Sequence, residues 1–160
     1  MDVRELLAGH HANVFAFLYR MTGDAHLAED LMQETFVRAL RAAERYEPRG
    51  KVSTWLFSIA ANAARDHWRR QQRRPEVTCV ELAYGSQAVD GAPEDEMDIR
   101  AALLNLPLEQ RSVLILRYYH DLSYAEIAET LVIPLGTVRS RIHKGLERLK
   151  ASLAEEVGAP

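Results

Sequence analysis

The sequence predicts an all-α protein: two small helical domains, residues 1–74 and 99–160, joined by a flexible acidic linker over 75–98. Three observations carry this expectation. Apolar residues recur at helical spacing, and no stretch alternates strictly enough to read as a strand; only Val113 to Tyr119 is ambiguous on periodicity. Charge is segregated. Ten basic residues stand against three acidic ones from Val37 to Arg74, seven acids and no Lys or Arg from Pro75 to Asp98, and five basic residues against Glu147 from Thr137 to Lys150. Lastly, Gly, Pro and capping residues fall between the periodic segments, where helices should stop and start.

With 160 residues, 48% of them apolar, a core needs no disulfide or metal staple. The net charge of -3 excludes a uniformly basic coat while hiding the basic and acidic blocks. Cys79 is the single cysteine, which excludes an internal disulfide and a multi-cysteine zinc site. The start Met1 to Glu5 lacks the basic-then-apolar pattern of a signal peptide, and no apolar run approaches the roughly 18 residues that span a bilayer. The expectation is a cytoplasmic protein without membrane insertion.

The first helix is expected over about 3–21 and ends at Gly23-Asp24. The second, about 25–46, places Ala28, Leu31, Thr35, Ala39 and Ala43 near one side. His26, Asp30, Gln33, Val37, Arg41 and Glu44 take the other, with Glu34 and Arg38 at its flanks; such a mixed face either docks a partner helix or meets water. Pro48-Arg49-Gly50 breaks the chain before a third helix over about 53–74. There the apolar side holds Trp55, Leu56, Ile59, Ala60 and Ala63, while Ser58, Asn62, Arg65, Arg69 and Gln72 form one polar, partly basic stripe. Arginine and asparagine beside exposable aromatics suit unpaired bases, which stack on aromatic and guanidinium planes. Trp55, Phe57 and Trp68 are the stacking candidates; the competing reading makes both tryptophans core and the Arg run at 69–74 a solvated helix end.

Beyond the linker, helices are expected over about 95–105, 107–119, 123–131 and 136–154. Pro107 suits a first turn, where its missing N–H needs no partner. Ser123 and Glu126 have the spacing of a capping box. A short capped helix, the connection Val132-Ile133-Pro134 and a long basic helix make the outline of a helix-turn-helix. At about 100° per residue, Val138, Ile142, Gly145, Leu146 and Leu149 fall within an arc of about 100° and must pack inward. His143, Glu147, Ser140 and Lys144 lie opposite, with Arg139 and Arg141 on the flanks, so these side chains can reach base edges and phosphates; the competing reading is a solvated charged face. Gly145 costs a helix interior about 1 kcal/mol relative to Ala, which points either to a close backbone approach or to a merely tolerated glycine.

An enzyme is disfavoured. The chain has no G-x-S-x-G elbow, phosphate loop or H-E-x-x-H, and its six scattered histidines have no ligand spacing, so no catalytic residue, metal or cofactor is expected. The alternative function is a helix-turn-helix repressor whose N-terminal helices bind a ligand or dimerise.

Four blocks, AEDLMQETFVRAL (28–40), STWLFSIAANAARDHWRR (53–70), LPLEQRSVLILRYYHDLSYAEIAETL (106–131) and IPLGTVRSRIHKGLERLK (133–150), resemble in order and separation the extracytoplasmic-function sigma factors. This group of the sigma-70 family keeps only regions two and four. The resemblance covers nearly the whole chain and implies a non-enzymatic subunit that binds core RNA polymerase, directs it to promoter DNA and helps open the duplex in transcription initiation. It further implies that residues 1–74 are region two and 99–160 region four. Asp30, Gln33, Glu34 and Arg38 would dock on the coiled coil of the polymerase beta-prime subunit, and the beta flap would be a second polymerase contact. The loop Glu47 to Ser53 and the helix after it look like the family's minus-ten reader, with Arg49, Lys51, Ser53, Asn62, Arg65 and Arg69 as its DNA-binding residues. Thr137, Arg139, Ser140, Arg141, His143 and Lys144 would read or grip the minus-thirty-five duplex. An anti-sigma factor is an expected partner. Val52 stands where the family often has an aromatic, His143 and Lys144 replace a frequent aromatic and Arg, and Leu146 replaces a frequent basic residue, so promoter preference cannot be copied from a relative.

Overall fold

The computed structural model describes residues 3–46, 50–73 and 94–158, every regular element among them being helical. The chain divides into two compact units, Met1–Gly85 and Ser86–Pro160. Arg49, Cys79 and residues 75–93 of the expected linker lie outside the described residues.

The first unit contains α1 (Val3–Ala8), α2 (His11–Thr22), α3 (Ala25–Ala42), a 3-10 turn over Ala43–Arg45, and α4 (Val52–Gln72). The single helix expected over 3–21 is therefore two, interrupted at Gly9-His10, where helix propensity is weakest. Between α2 and α3, Gly23 takes φ 70° and its N–H donates to the Tyr19 carbonyl at 2.7 Å. The Asp24 carboxylate then accepts from the backbone N–H groups of His26 (3.0 Å) and Leu27 (3.2 Å), satisfying two orphan donors at the start of α3. The core is built from Phe17, Leu18 and Met21 of α2, Leu31 and Ala39 of α3, and Leu56, Phe57 and Ala60 of α4, the Leu, Met and Phe side chains each contributing about 1.5–3 kcal/mol on burial. Thr35 is buried too, and its hydroxyl donates to the Leu31 carbonyl at 2.7 Å.

On α4 the buried residues are Leu56, Phe57, Ala60, Ala61, Ala63 and Ala64. That arc is rotated by about a quarter-turn from the expected apolar side. Trp55 and Ile59 sit at its edge, and Phe57, expected as a stacking candidate, is only 2% exposed with its ring centroid 5.5 Å from that of Phe17. Small alanines let α4 approach its neighbours closely. A phenylalanine then fills the remaining depth better than an indole, whose N–H needs a polar partner.

The second unit contains α5 (Glu94–Leu104), α6 (Leu108–Tyr118), α7 (Tyr124–Leu131) and α8 (Leu135–Gly158). Because α5 starts at Glu94, the last residues of the acidic segment open a helix rather than continue the expected linker to residue 98. Pro107 is the N-cap residue of α6 rather than part of its first turn, and its carbonyl accepts from the N–H groups of Gln110 and Arg111. Arg111 closes the α5–α6 connection: Nε donates to the Leu103 carbonyl at 3.0 Å, and Nη2 to those of Leu104 (2.8 Å) and Leu106 (2.9 Å). The Leu103 carbonyl also accepts from the Leu106 N–H at 3.1 Å, whereas those of Leu104 and Leu106, at and beyond the end of α5, are carbonyls of the kind a helix end leaves without an intrahelical donor. Arg117 does the same for the next connection, donating to the Leu122 carbonyl at 3.1 Å while its guanidinium lies 5.2 Å from the Tyr124 ring centre.

The capping box forms as expected. The Ser123 hydroxyl accepts from the Glu126 N–H, and the Ser123 N–H donates to the Glu126 carboxylate, both at 3.1 Å. Helix α7 ends at Val132, which adopts φ 55° and ψ 53°, and the N–H of Ile133 returns to the Ala128 carbonyl at 3.0 Å. Val113, Ile115, Leu116, Ile127 and Val138 form the centre of this unit. Gly145 explains how α8 fits: a Cβ there would lie 3.0 Å from Leu114 Cδ1, 3.3 Å from Leu114 Cγ and 3.5 Å from Gln110 Cβ. The close approach expected at Gly145 is to α6.

Candidate nucleic-acid interface

The helix-turn-helix presents α8 with its apolar stripe inward, Val138 and Ile142 being buried and Gly145 pressed on α6. Arg139, Ser140, His143 and Lys144 are exposed together, and Thr137 is half-covered near the start of the helix. Arg141 is turned differently. Its guanidinium lies 3.9 Å from the Glu109 carboxylate on α6, so the structure separates it from the other candidates. Glu147 shares the exposed face, its Oε1 being 3.2 Å from His143 Nε2. On the opposite side of α8, Leu146 and Leu149 join Ile99, Leu103, Leu114, Tyr118 and Tyr119 around an apolar groove of about 200 Å³.

In the first unit, Lys51, Asn62 and Arg69 are exposed, and Ser53 and Arg65 are half-covered. Asn62, Arg65 and Arg69 share the polar stripe of α4 as expected, whereas Ser53 belongs to the first turn, on another side of the helix. Tyr46, missed in the sequence, stacks on Trp55 with ring centroids 4.2 Å apart and planes at 24°. This pair sets the end of the 3-10 turn against the first turn of α4. Tyr46 lies in extended backbone after the 3-10 turn, where helical periodicity gives no signal. Trp55 is thus already stacked within the protein, while Trp68 stands half-covered with its ring edge-on to His67.

The outer face of α3 splits into two parts. Asp30, Gln33 and Arg41 are exposed among Val37 and Leu40, each 45% exposed, which makes an amphipathic face that no helix among the described residues of its unit covers. Glu34 and Arg38 instead lean toward α4: Arg38 Nη2 is 2.6 Å from the Glu34 carboxylate, and its Nη1 is 3.1 Å from Asp66. Arg70 approaches Glu34 at 3.9 Å. Burial works against the Arg38 charge, but hydrogen bonds and charge attraction from Glu34 and Asp66 outweigh it and raise its pKa. His67 is held below the usual histidine range, chiefly by burial and then by the Arg70 charge, against the pull of Glu34 and Asp24. The sequence placed Glu34 and Arg38 with the outward residues; the geometry makes them a bridge between α3 and α4.

Among the described residues there is no cluster of three or more His, Cys, Asp or Glu side chains fit to hold a metal ion, and no helix long and apolar enough to cross a membrane.

Comparison with known proteins follows the two units. Residues 6–74 match the family described as Sigma-70 region 2, and residues 96–149 match Sigma-70, region 4. The extracytoplasmic-function (ECF) RNA polymerase sigma factor SigE of Mycolicibacterium smegmatis is 40% identical over 158 residues, covering 94% of this chain and 61% of that protein. The ECF sigma factor SigW of Bacillus subtilis is 37% identical, covering 89% of this chain and 83% of its own. Among solved structures, the sigma factor RpoE in complex with the anti-sigma factor NepR from Bartonella quintana has a TM-score of 0.78 at 25% identity, covering 96% and 97% of the two chains. CnrH in complex with the cytosolic domain of CnrY has a TM-score of 0.67 at 27% identity, covering 94% and 86%.

Proposed function

The chain belongs to the extracytoplasmic-function sigma factors of the sigma-70 family, and on that premise we propose how its surfaces divide the work of promoter recognition. Sigma factors are non-catalytic specificity subunits of RNA polymerase. The repressor alternative has no support from the relatives, which are named as sigma factors.

We assign residues 1–74 to polymerase binding and the minus-ten element, 99–160 to the minus-thirty-five element, and 75–98 to the connection between them. Asp30 and Gln33, with the apolar Val37 and Leu40 beside them, dock on the beta-prime coiled coil. Glu34 and Arg38 contribute by fixing α3 on α4. Lys51, Ser53, Asn62, Arg65 and Arg69, together with Arg49, hold the melted minus-ten strand. On α8, Arg139, Ser140, His143 and Lys144 enter the minus-thirty-five major groove, Thr137 meets the backbone at the helix start, and Arg141 reaches a phosphate from the flank. The beta flap takes the apolar groove on the other side of α8, so DNA and polymerase engage that helix together without competing. The chain works in the cytoplasm, where polymerase is, under control of an anti-sigma factor like those that accompany the two structural neighbours.

The observation that carries this reading is the capped α7 followed by α8, whose exposed face concentrates Arg139, Ser140, His143 and Lys144 away from the buried Val138 and Ile142 and the inward Gly145. Reconstitution with core polymerase and run-off transcription tests it. An Asn62→Ala variant should assemble with polymerase and bind duplex promoter yet open it poorly, because a flipped base needs hydrogen bonds to offset an unstacking cost of a few kcal/mol. A pre-melted promoter should restore part of the activity, and normal permanganate reactivity of the variant's open complex would remove Asn62 from the site.

A further inference from the structure

We infer that Glu147 is a positioning residue for promoter reading: it holds the His143 imidazole so that this ring meets the bases through one fixed nitrogen. The inference rests on the assignment of α8 to the minus-thirty-five groove. An acidic side chain on the face of a helix that approaches phosphates is otherwise unfavourable, since it repels the ligand that Arg139 and Lys144 attract. Its place has a local explanation. Glu147 is one helical turn beyond His143, on the same exposed face, with its Oε1 3.2 Å from His143 Nε2.

The two side chains are 75% and 68% exposed in the free protein, so water weakens their attraction there. Once the helix lies in the groove, water is displaced and the same pair becomes stronger. A carboxylate beside Nε2 favours a proton on that nitrogen and fixes the plane of the ring, as the partner of one imidazole nitrogen generally sets the role of the other. Nδ1 is then the atom left for DNA, an acceptor suited to the exocyclic amine of adenine or cytosine when the ring is neutral. Neighbouring acids have other partners: Glu109 of α6 faces Arg141, and Glu126 of α7 is taken by its own capping box. Discrimination is thereby gained at the cost of some attraction for DNA of any sequence.

The two contributions separate by substitution. Holoenzyme is reconstituted with the parent chain or with Glu147→Ala, Glu147→Gln, His143→Ala or the His143→Ala/Glu147→Ala pair. Each is tested on a pool of promoter duplexes randomised across the upstream element and on a duplex of unrelated sequence. Both Glu147 variants should bind the unrelated duplex more tightly than the parent, most at low salt, because each removes a negative charge. Glu147→Ala should lose, by about fivefold or more, the base preference that His143→Ala also loses. Glu147→Gln, which keeps an acceptor of the same shape, should retain it. In the His143→Ala background, removal of Glu147 should change preference no further. Unaltered preferences in Glu147→Ala, or equal losses in the Ala and Gln variants, would overturn the inference. Arg139→Ala and Lys144→Ala on the same duplexes distinguish its failure from that of the α8 assignment: if they too change nothing, the helix does not enter the groove.

Discussion

Val132 ends α7 with φ 55° and ψ 53°, a left-handed conformation that suits glycine, while 82% of its surface stands open. A β-branched residue there carries about 1–2 kcal/mol of backbone strain, and so exposed a side chain gains little packing in return. Val132→Gly should therefore stabilise the second unit by about 1 kcal/mol after the larger entropy of glycine in the unfolded chain is deducted. The thermal midpoint should rise by about 4–8 °C for a domain of this size, and a fall on calorimetry would show that the turn is not strained. Arginine shows why single residues were only partly legible in the sequence. Arg139 is free on the outer face of α8, whereas Arg141, two residues away, leans on Glu109, and Arg111 and Arg117 close inter-helix connections through backbone carbonyls. Local spacing records the charge of each. It cannot record a carbonyl five to eight residues away that only the turn brings within reach.

Helix boundaries marked by a mechanism were readable: Gly23-Asp24 ends α2 and caps α3, and Ser123 with Glu126 starts α7. The break at Gly9-His10 was not, because one glycine in a helical pattern is ordinarily tolerated. The face of α4 was misplaced for a related reason. Ala61 and Ala64 carry little hydrophobic signal, so the tryptophan drew the expected apolar side toward itself. On α3 the distinction between exposed and bridging residues yields a sharper test of polymerase docking. Asp30→Lys should weaken binding to core polymerase with a change in stability within about 0.5 kcal/mol, as is usual for an exposed site. Glu34→Lys should both weaken binding and lower the melting temperature of the first unit, because it sets a cation against Arg38 and Arg70. Equal polymerase affinity for parent and Asp30→Lys in a titration would remove this face from the interface. For α8, Gly145→Val should cost about 1–3 kcal/mol by forcing α6 and α8 apart. Gly145→Ala should be near neutral, since about 1 kcal/mol of helix propensity offsets the displacement of Leu114. Thermal unfolding of the two variants checks the contrast.

At the scale of the whole chain, seven acids between Pro75 and Asp98 separate two basic blocks. Those at 94, 95, 96 and 98 fall within α5, so the variant that leaves this helix unaltered neutralises only Glu76, Glu81 and Asp90. If the segment competes with DNA for the basic surfaces, this variant should bind promoter duplex more tightly than the parent in the absence of polymerase. The difference should shrink as salt shortens the screening length toward 8 Å and below. Equal affinity at every salt concentration in an anisotropy titration would make the acids merely solvating. The all-α character and the two-unit plan were legible because periodicity and charge blocks are properties of long stretches, in which single misread residues average out. Each unit also has a core supplied by its own helices. A genetic crossover falling between Arg73 and Glu94 cuts none of the described helices, so, on the division of promoter reading proposed above, recombination between duplicated genes can exchange one half of the apparatus in a single event. New pairings of upstream and downstream elements then arise in one step, where point mutation would have to remake each recognition surface residue by residue.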